Sequence, residues 1–337
     1  MSTSTVVSAP AERDLRQALR AMRTKSTLKA SLIFLADVAL YAGFTWGALA
    51  SEKPVTAFAF GTLSGVAIAM LFVVGHDACH GSFTGSRALN GAIGRLAFLP
   101  SLTPFGAWDR EHNRTHHVYT NFKSRDVIWA PFSKAEYDAL PRWRRWLERC
   151  YRTPLGVGLY YAAEIWWKLL IRPRRGSGLL SDYLICYGYA LCLIAAGCAF
   201  GSTALLAGVV WPFLCWNWLM GWAIFEHHTH PDVPWFDNER EWREAQAQSR
   251  CTVHLVLPWA IDGVLHHIMQ HTAHHLDVTV PLYRLRDAQS ALEAAGAEVV
   301  VYRWTPLSFF RHLRICKLYD FENRRWVGFD GRPRPTQ

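Results

Sequence analysis

Four apolar stretches of this chain are each long enough to cross a lipid bilayer as a helix. They cover residues 31–50, 55–75, 183–200 and 202–225, and Asp37 is the only charged residue in them. A helix needs roughly 20 apolar residues to span the hydrocarbon core. The chain as a whole is 51% hydrophobic and only 19% charged, a balance that argues against an ordinary soluble protein. We therefore expect an all-α integral membrane protein with four transmembrane helices.

The connections between these stretches predict how the helices pair. Residues 51–54 and the region around Gly201 are tight turns, whereas residues 76–181 and 226–325 are long, polar and basic. Two helical hairpins would then leave the basic N-terminal segment 1–30, both long segments and the tail 326–337 on one side. The positive-inside rule makes that side cytoplasmic. We expect one domain over residues 31–325, with residues 76–181 and 226–325 forming a cytoplasmic helical cap.

The charge of the chain favours a membrane surface as its partner. Its 36 basic residues exceed its 27 acidic residues and give a formal charge of +9. The basic residues flank apolar segments instead of following one helix face, so we expect contact with lipid and not with nucleic acid. Arginine strongly outnumbers lysine, which favours a GC-rich bacterial genome and a multi-pass protein of the inner membrane.

Histidines are unusually frequent and occur in clusters. Fourteen of the fifteen lie between His76 and His275, and three clusters read HDACH at 76–80, HNRTHH at 112–117 and HTAHH at 271–275. On a helix, residues three and four apart share a face. The pairs His76 with His80 and His112 with His116 should each point to one place, as should His271 with His274 and His275. His117 lies a further 100° round its helix, where it would serve a neighbouring metal.

These eight imidazoles are too many for one metal ion and suit two. Imidazole binds several transition metals, so the ligand type does not name the metal. Structural zinc usually has a closed set of four ligands, often with cysteine. The number of histidines and the membrane setting favour a dinuclear redox site, with iron as the first choice.

In these clusters the chain resembles the membrane fatty-acid desaturases, and the resemblance covers roughly residues 30–320. That family has three histidine boxes of the forms H-x(3–4)-H, H-x(2–3)-HH and H-x(2–3)-HH, which the three clusters match in order. The stretch His227-His-Thr-His-Pro231 also resembles the HTHP segment of the acyl-lipid subgroup, which includes the Δ12 and ω3 enzymes.

The resemblance implies a centre of two non-haem iron ions, bound by nine histidines. Eight come from the boxes and the ninth, by its match to HTHP, is His228, with His227 and His230 as competitors. The implied ligands are His76, His80, His112, His116, His117, His228, His271, His274 and His275.

Several residues near the boxes are candidates for a supporting role. His267 precedes His271 by four residues and shares its face, which favours a supporting or water-binding role over direct ligation. Asp126 and Asp277 are the preferred carboxylates for accepting the second ring N–H of a ligand histidine. We expect His254 to be a hydrogen-bonded structural residue and His312 to lie on the surface.

The resemblance also implies a reaction and its partners. A desaturase of this kind would reduce O₂ with two electrons and place a cis double bond in the acyl chain of a membrane lipid. The sequence has no haem-attachment motif, no iron–sulfur cysteine quartet and no dinucleotide fingerprint, so we expect an external donor such as ferredoxin with its reductase.

Two other functions are consistent with the same sequence. One is a lipid or carotenoid hydroxylase or ketolase on the same scaffold, because the boxes do not distinguish desaturation from oxygen insertion. The other, more distant, is a histidine-rich metal transporter. Transporters place ionisable ligands within the spans, whereas the histidines of this chain lie beyond the span ends.

Overall fold

The four apolar stretches form the four candidate membrane spans of the computed structural model, which describes residues 10–173 and 179–335. Residues 1–9 of the predicted N-terminal segment and residues 336–337 of the tail lie outside the described residues. Among the described residues, the candidate spans are Thr27–Ala50, Pro54–Cys79, Leu180–Phe200 and Ser202–His228. In number and order these helices agree with the four expected spans. The second and fourth spans continue past their apolar parts into histidine clusters.

The chain is mostly helical, and most of its other helices are short. Up to residue 170 the helices are α1 (Glu12–Ala18), α2 (Thr27–Ala50), α3 (Pro54–Cys79), α4 (Arg87–Phe98), α5 (Phe105–Trp108), α6 (Lys134–Ala139), α7 (Arg142–Tyr151) and α8 (Gly156–Tyr160), with a 3₁₀ turn at Arg20–Arg23 and π-helices at Asp109–His116 and Tyr161–Leu170. From residue 180 they are α9 (Leu180–Phe200), α10 (Ser202–Leu205), α11 (Trp211–His228), α12 (Glu239–Glu244), α13 (Ala247–Arg250), α14 (Trp259–Val264), α15 (His271–Leu276), α16 (Leu285–Ala294) and α17 (Pro306–Ile315), with a π-helix at Leu206–Val210 and a 3₁₀ turn at Leu282–Arg284.

Four short strands add to the expected all-helical class. In the part of the chain that the structure describes, β1 (Val253–Val256) pairs in parallel with β2 (Val300–Arg303), with Val253 opposite Val300. β3 (Leu318–Asp320) pairs antiparallel with β4 (Arg325–Val327). Both small sheets belong to the polar region after the fourth span, where no strand was expected.

Local sequence explains where the first hairpin begins and turns. The side chain of Ser26 accepts a hydrogen bond from the backbone N–H of Lys29 at 3.3 Å and caps α2. Pro54 occupies the first turn of α3, where its missing N–H has no helical partner to lose.

Glycine permits the turn of the second hairpin. Gly201 has φ of +100°, a conformation that L residues with a side chain rarely adopt, and it ends α9 directly before α10. The short connection makes α9 and the fourth span neighbours in the fold.

The second span lies at the centre of the helices. Its most apolar window is 67% buried, against 17% for the first and third spans. Gly61 and Gly65 bring it close to the fourth span: a Cβ at Gly61 would lie 2.1 Å from the carbonyl oxygen of Ala207, and one at Gly65 would lie 2.6 Å from the Cβ of Cys215. Small residues of this kind let membrane helices approach closely. The close packing fixes the ends of α3 and α11, and both ends carry histidines.

Candidate metal centre

Nine histidines from four separate segments meet beyond the ends of α3 and α11. His76 and His80 lie at the end of α3, and His228 ends α11. The other six come from the π-helix Asp109–His116 with the adjoining His117, and from α15. All nine are the residues that sequence reasoning named as ligands.

The nine histidines form two groups, in each of which the candidate ligand atoms lie within 4.8 Å of one another. The first histidine group consists of His76, His80, His112, His117 and His274. The second histidine group consists of His116, His228, His271 and His275. Two groups of five and four imidazoles match the number of ligands that two ions would need.

Spacing between ring nitrogens within each group fits coordination of a common ion. The Nε2 atoms of His76 and His112 are 2.8 Å apart, and those of His112 and His117 are 3.0 Å apart. In the second group the Nε2 atoms of His228 and His271 are also 3.0 Å apart. Two nitrogens that each lie about 2.1 Å from one ion are separated by about 3.0–3.4 Å in octahedral or tetrahedral geometry.

An unsatisfied ring nitrogen also fits a metal-binding role. Among the described residues, the buried Nε2 atom of His80 has no hydrogen-bond partner. Buried polar atoms are normally paired. Burial lowers the pKa of His80 to about 3 and holds the pKa values of His117 and His274 well below 6.5. Neutral imidazole is the form that binds a metal ion.

The second box divides its histidines between the groups in a way that an α-helix does not allow. We expected His112 and His116 to share a face, but His112 belongs with His117 while His116 joins the other group. The cause is the π-helix, in which the backbone N–H of His117 bonds to the carbonyl of His112 at 3.0 Å. A π-turn aligns residues five apart. The expected pairing of His112 with His116 was therefore wrong.

The third box divides in a similar way. His274 lies in the first histidine group, and His271 and His275 lie in the second. The expectation that all three point to one place was also wrong. The six-residue helix α15 is inserted between the two groups and contributes to both.

Among the three candidates near the end of α11, only His228 lies in a histidine group. Its Nδ1 faces the backbone carbonyl of Cys251 at 3.2 Å, which leaves Nε2 directed at His271. His227 stacks on His271, with ring centroids 3.7 Å apart, and its Nε2 lies 3.1 Å from the sulfur of Met269. His230 lies beside Tyr302 instead. The geometry separates His228 from both competitors.

Hydrogen bonds orient most rings of the second histidine group. The Nδ1 atom of His116 lies 3.0 Å from Oδ1 of Asp126, as expected from the sequence. The Nδ1 atom of His275 lies 3.1 Å from Oε1 of Gln248 and 3.2 Å from Oγ1 of Thr120. Such contacts fix the tautomer of a ligand histidine. Gln248 and Thr120 were missed, because neither residue type nor spacing marks them in the sequence.

Three other expectations about supporting residues are settled by their contacts. Asp277 accepts from Nε of Arg23 at 2.6 Å and from Thr279, and within the described residues it forms no hydrogen bond with a ligand histidine, so the expected role is not seen. His267 pairs with Asp262 at 2.6 Å, outside both groups. His254 pairs with Glu293 at 2.5 Å, as expected of a structural histidine.

His312 is not the surface residue that we expected. It is 5% exposed, and its Nδ1 lies 3.3 Å from the carboxylate of Glu226. The same carboxylate accepts hydrogen bonds from Tyr302 and from the indole of Trp304. This buried cluster joins β2 and α17 to the end of α11, next to His227 and His228. The sequence pattern around residue 312 does not predict that His312 packs against the buried carboxylate of Glu226.

A largely apolar cavity reaches both histidine groups. We call it the main cavity. Five histidines from the two groups line its inner end, namely His76, His112, His116, His228 and His271. Away from them its walls include Phe72 of α3, Ile165 of the π-helix Tyr161–Leu170, and Leu219 and Trp222 of α11. Ligand sites in proteins commonly have a predominantly apolar lining of this kind.

The fold and these residues define a class: a helical membrane protein with two groups of histidines that are suited to bind metal at the end of an apolar cavity. Comparison with known proteins names the family. The family model described as fatty acid desaturase matches residues 53–306. The chain belongs to the fatty-acid desaturase family, as its histidine boxes indicated.

Individual relatives are desaturases from plants and cyanobacteria. The chain is 31% identical over 286 residues to a chloroplastic omega-6 fatty acid desaturase of Brassica napus. The aligned region covers 79% of this chain and 60% of the relative. It is 30% identical over 272 residues to the sn-1 oleoyl-lipid 12-desaturase of Picosynechococcus sp., covering 77% of this chain and 76% of the relative. The matched region thus spans about three-fifths of the plant protein and three-quarters of the cyanobacterial one.

Proposed function

We propose that this protein is an O₂-dependent acyl-lipid desaturase that introduces a cis double bond into an acyl chain of a membrane lipid. The observation that carries the proposal is the main cavity, whose apolar walls lie between α3 and α11 and whose inner end is lined by histidines of both groups. An extended acyl chain in this cavity would lie against both metal positions. The names of the relatives support an oleoyl chain as the substrate and carbon 12 as the site of the new double bond.

The proposed cofactor is a pair of non-haem iron ions held by the nine histidines. The first histidine group would hold one ion and the second the other, with His228 as the ninth ligand. When bound, the ions supply the oxidising chemistry that removes hydrogen from an unactivated methylene, which side-chain acids and bases do not achieve. The chain's own residues orient the ligands through Asp126 and Gln248 and exclude water from the cavity through its apolar walls.

The proposed arrangement in the membrane places the metal centre on the cytoplasmic side of a bacterial inner membrane. Two short hairpin turns and two long polar segments support a topology in which residues 76–181 and 226–325 form a cytoplasmic cap. Reporter fusions test it: a fluorescent protein at the C-terminus should fluoresce, and alkaline phosphatase inserted after Lys53 should be active. The opposite pattern would contradict the topology.

Lipid profiling of an expressing host tests the activity. In a bacterium whose lipids contain oleoyl chains, expression should produce a dienoic chain, located by gas chromatography and mass spectrometry of derivatised methyl esters. His116→Ala and His274→Ala, one from each group, should abolish the product and lower bound iron while the protein still inserts in the membrane. A hydroxylated or oxo product would instead favour oxygen insertion. Full activity in both variants would refute the proposed centre.

The electron donor is proposed to be an external carrier such as ferredoxin with its reductase. Purified protein in lipid nanodiscs should form product when NADPH, ferredoxin reductase and ferredoxin are all present. Leaving out the ferredoxin should stop the reaction. Product formation without any added carrier would contradict this part of the proposal.

A further inference from the structure

A second apolar groove lies on the far side of one wall of the main cavity. We call it the outer groove. It is lined by Val66 of α3, Trp218 of α11, Leu257, Ala260 and Val264 at and beside α14, and Trp304 after β2. Leu219, Trp222 and Leu265 line both the outer groove and the main cavity. The two spaces are therefore separated by a wall that is a single layer of side chains.

The outer groove presents apolar surface throughout. The indole N–H of Trp218 donates to the carbonyl of Pro154 at 2.8 Å, and that of Trp304 donates to Glu226 at 3.1 Å. Both indoles thus contribute ring surface to the groove while their polar atoms are bonded elsewhere. Trp222 stands between them, parallel to Trp218 and edge-on to Trp304. A groove with these walls suits a hydrocarbon chain.

Helix α14 forms one side of the open groove and is itself suited to contact lipid. Trp259, Ile261 and Val264 are 72%, 48% and 41% exposed. On its inner side Asp262 is buried and pairs with His267 at 2.6 Å. The helix is thus anchored to the protein by a polar contact and exposes an apolar face outward, as interfacial helices do.

The groove lies at membrane depth. Val66 precedes His76 by ten residues on α3, and Trp218 precedes His228 by ten residues on α11. At 1.5 Å per residue, each is about 15 Å from the histidine end of its helix. A chain in the outer groove would therefore run beside the spans, next to a chain in the main cavity.

We propose that the outer groove holds the second, non-reacting acyl chain of the same diacyl lipid whose reacting chain occupies the main cavity. The proposal rests on the proposed acyl-lipid function. The two chains of a glycerolipid leave neighbouring carbons and stay close together, and the shared wall of Leu219, Trp222 and Leu265 places two apolar spaces side by side. The enzyme would then select lipids with two acyl chains over acyl groups carried singly.

Photocrosslinking tests which lipid occupies the groove. The probe is a phosphatidylglycerol with an oleoyl chain on one glycerol carbon and a diazirine-bearing chain on the other, in nanodiscs of unlabelled phosphatidylglycerol. Mass spectrometry should find at least fivefold more label on residues 257–265 and Trp304 than on the lipid-facing residues of α9. Ala260→Trp, which fills the outer groove, should reduce that label to the level on α9. The matched control Leu191→Trp, on an exposed position of α9, should leave it unchanged.

A second photocrosslinking experiment tests whether the outer groove and the main cavity are occupied by the two chains of the same lipid molecule. Ala223→Trp, which fills the main cavity but does not line the groove, should also reduce the groove label at least threefold. Groove labelling that is unaffected by Ala223→Trp would identify an independent boundary lipid and overturn the proposal, as would labelling no stronger than on α9.

A separate photocrosslinking experiment tests the acyl-lipid function itself. A second probe that carries the diazirine on the oleoyl chain should label the walls of the main cavity. Absence of that label, together with absence of dienoic product, would refute the acyl-lipid function. Presence of that label without groove label would refute only the second subsite.

Discussion

Asp126 and Asp277 offer a matched pair for testing which carboxylate supports the metal centre. Both are buried, at 7% and 6% exposure, and both follow a histidine box closely. Asp126 accepts from Nδ1 of His116 at 3.0 Å and from the backbone N–H groups of Asn121 at 2.7 Å and Ile128 at 3.2 Å. Asp277 bonds to Arg23 and Thr279 instead. Asp126→Asn should therefore weaken metal binding in the second histidine group, and Asp277→Asn should not.

The size of the effect follows from the contacts of Asp126. An asparagine amide has one oxygen, so its NH₂ must face either a backbone N–H or the ring N–H of His116. Loss of a carboxylate partner of a ligand histidine typically weakens metal binding about 10–100-fold, or about 1.4–2.7 kcal/mol. We expect Asp126→Asn to retain about one ion per chain at a free Fe²⁺ concentration that saturates both sites of the wild type.

Elemental analysis at buffered free Fe²⁺ measures this effect directly. The wild type and Asp277→Asn should both bind two ions at the same midpoint. Equal metal loss in the two aspartate variants would mean that general destabilisation, and not ring orientation, governs binding. Wild-type affinity in Asp126→Asn would refute the role of its hydrogen bond to His116.

Three further predictions follow from the cavity, the buried cluster and the histidine burial. Ala223→Trp should lower dienoic product at least tenfold with metal content unchanged, because it fills the main cavity without replacing a ligand; unchanged product would contradict this location for the acyl chain. Glu226→Gln should lower the free energy of unfolding by about 2 kcal/mol, because charge-assisted bonds from Tyr302, Trp304 and His312 are weakened, and an unchanged melting temperature would argue against the cluster. The metal-free protein should lose stability as the pH falls below about 6.5 and towards 3, because burial lowers the pKa of His80 to about 3 while the unfolded chain takes up its proton near 6.5. Unfolding midpoints measured from pH 7 to pH 5 check the sign, and a flat profile would contradict it.

Sequence patterns predicted the spans and the convergence of the histidines because both depend on strong, simple constraints. Long apolar runs such as residues 55–75 have no stable place except in a membrane or a large core. Once α2 with α3, and α9 with the fourth span, form two hairpins with short turns, and residues 76–181 stay on one side, His76 and His228 must lie at the same end of the bundle. The box histidines then share that end, however far apart they are in the sequence.

The division of the histidines into two groups was not predictable from spacing. An α-helix aligns residues four apart, whereas a π-helix aligns residues five apart. Because of this difference His117 joins His112 in the first histidine group, and His116 lies in the second. Whether a π-turn forms depends on tertiary contacts, since isolated π-helices are rare. Here Trp108 stacks on His112, and Asp126 holds His116 on the opposite side. Both contacts form only in the folded chain.

The same division would couple binding of the proposed ions to assembly of the fold. The first histidine group takes residues from all three boxes, and the second takes His116, His228, His271 and His275 from two boxes and the end of α11. No single segment supplies a complete set, and α15 contributes to both. In an unfolded chain the most distant ligands would be 198 residues apart in the first group (His76 and His274) and 159 apart in the second (His116 and His275), so each proposed ion would bind to the folded protein and stabilise it. The unpaired Nδ1 atoms of the first histidine group fit this account, because a bound ion orients rings that the protein alone does not hold by hydrogen bonds.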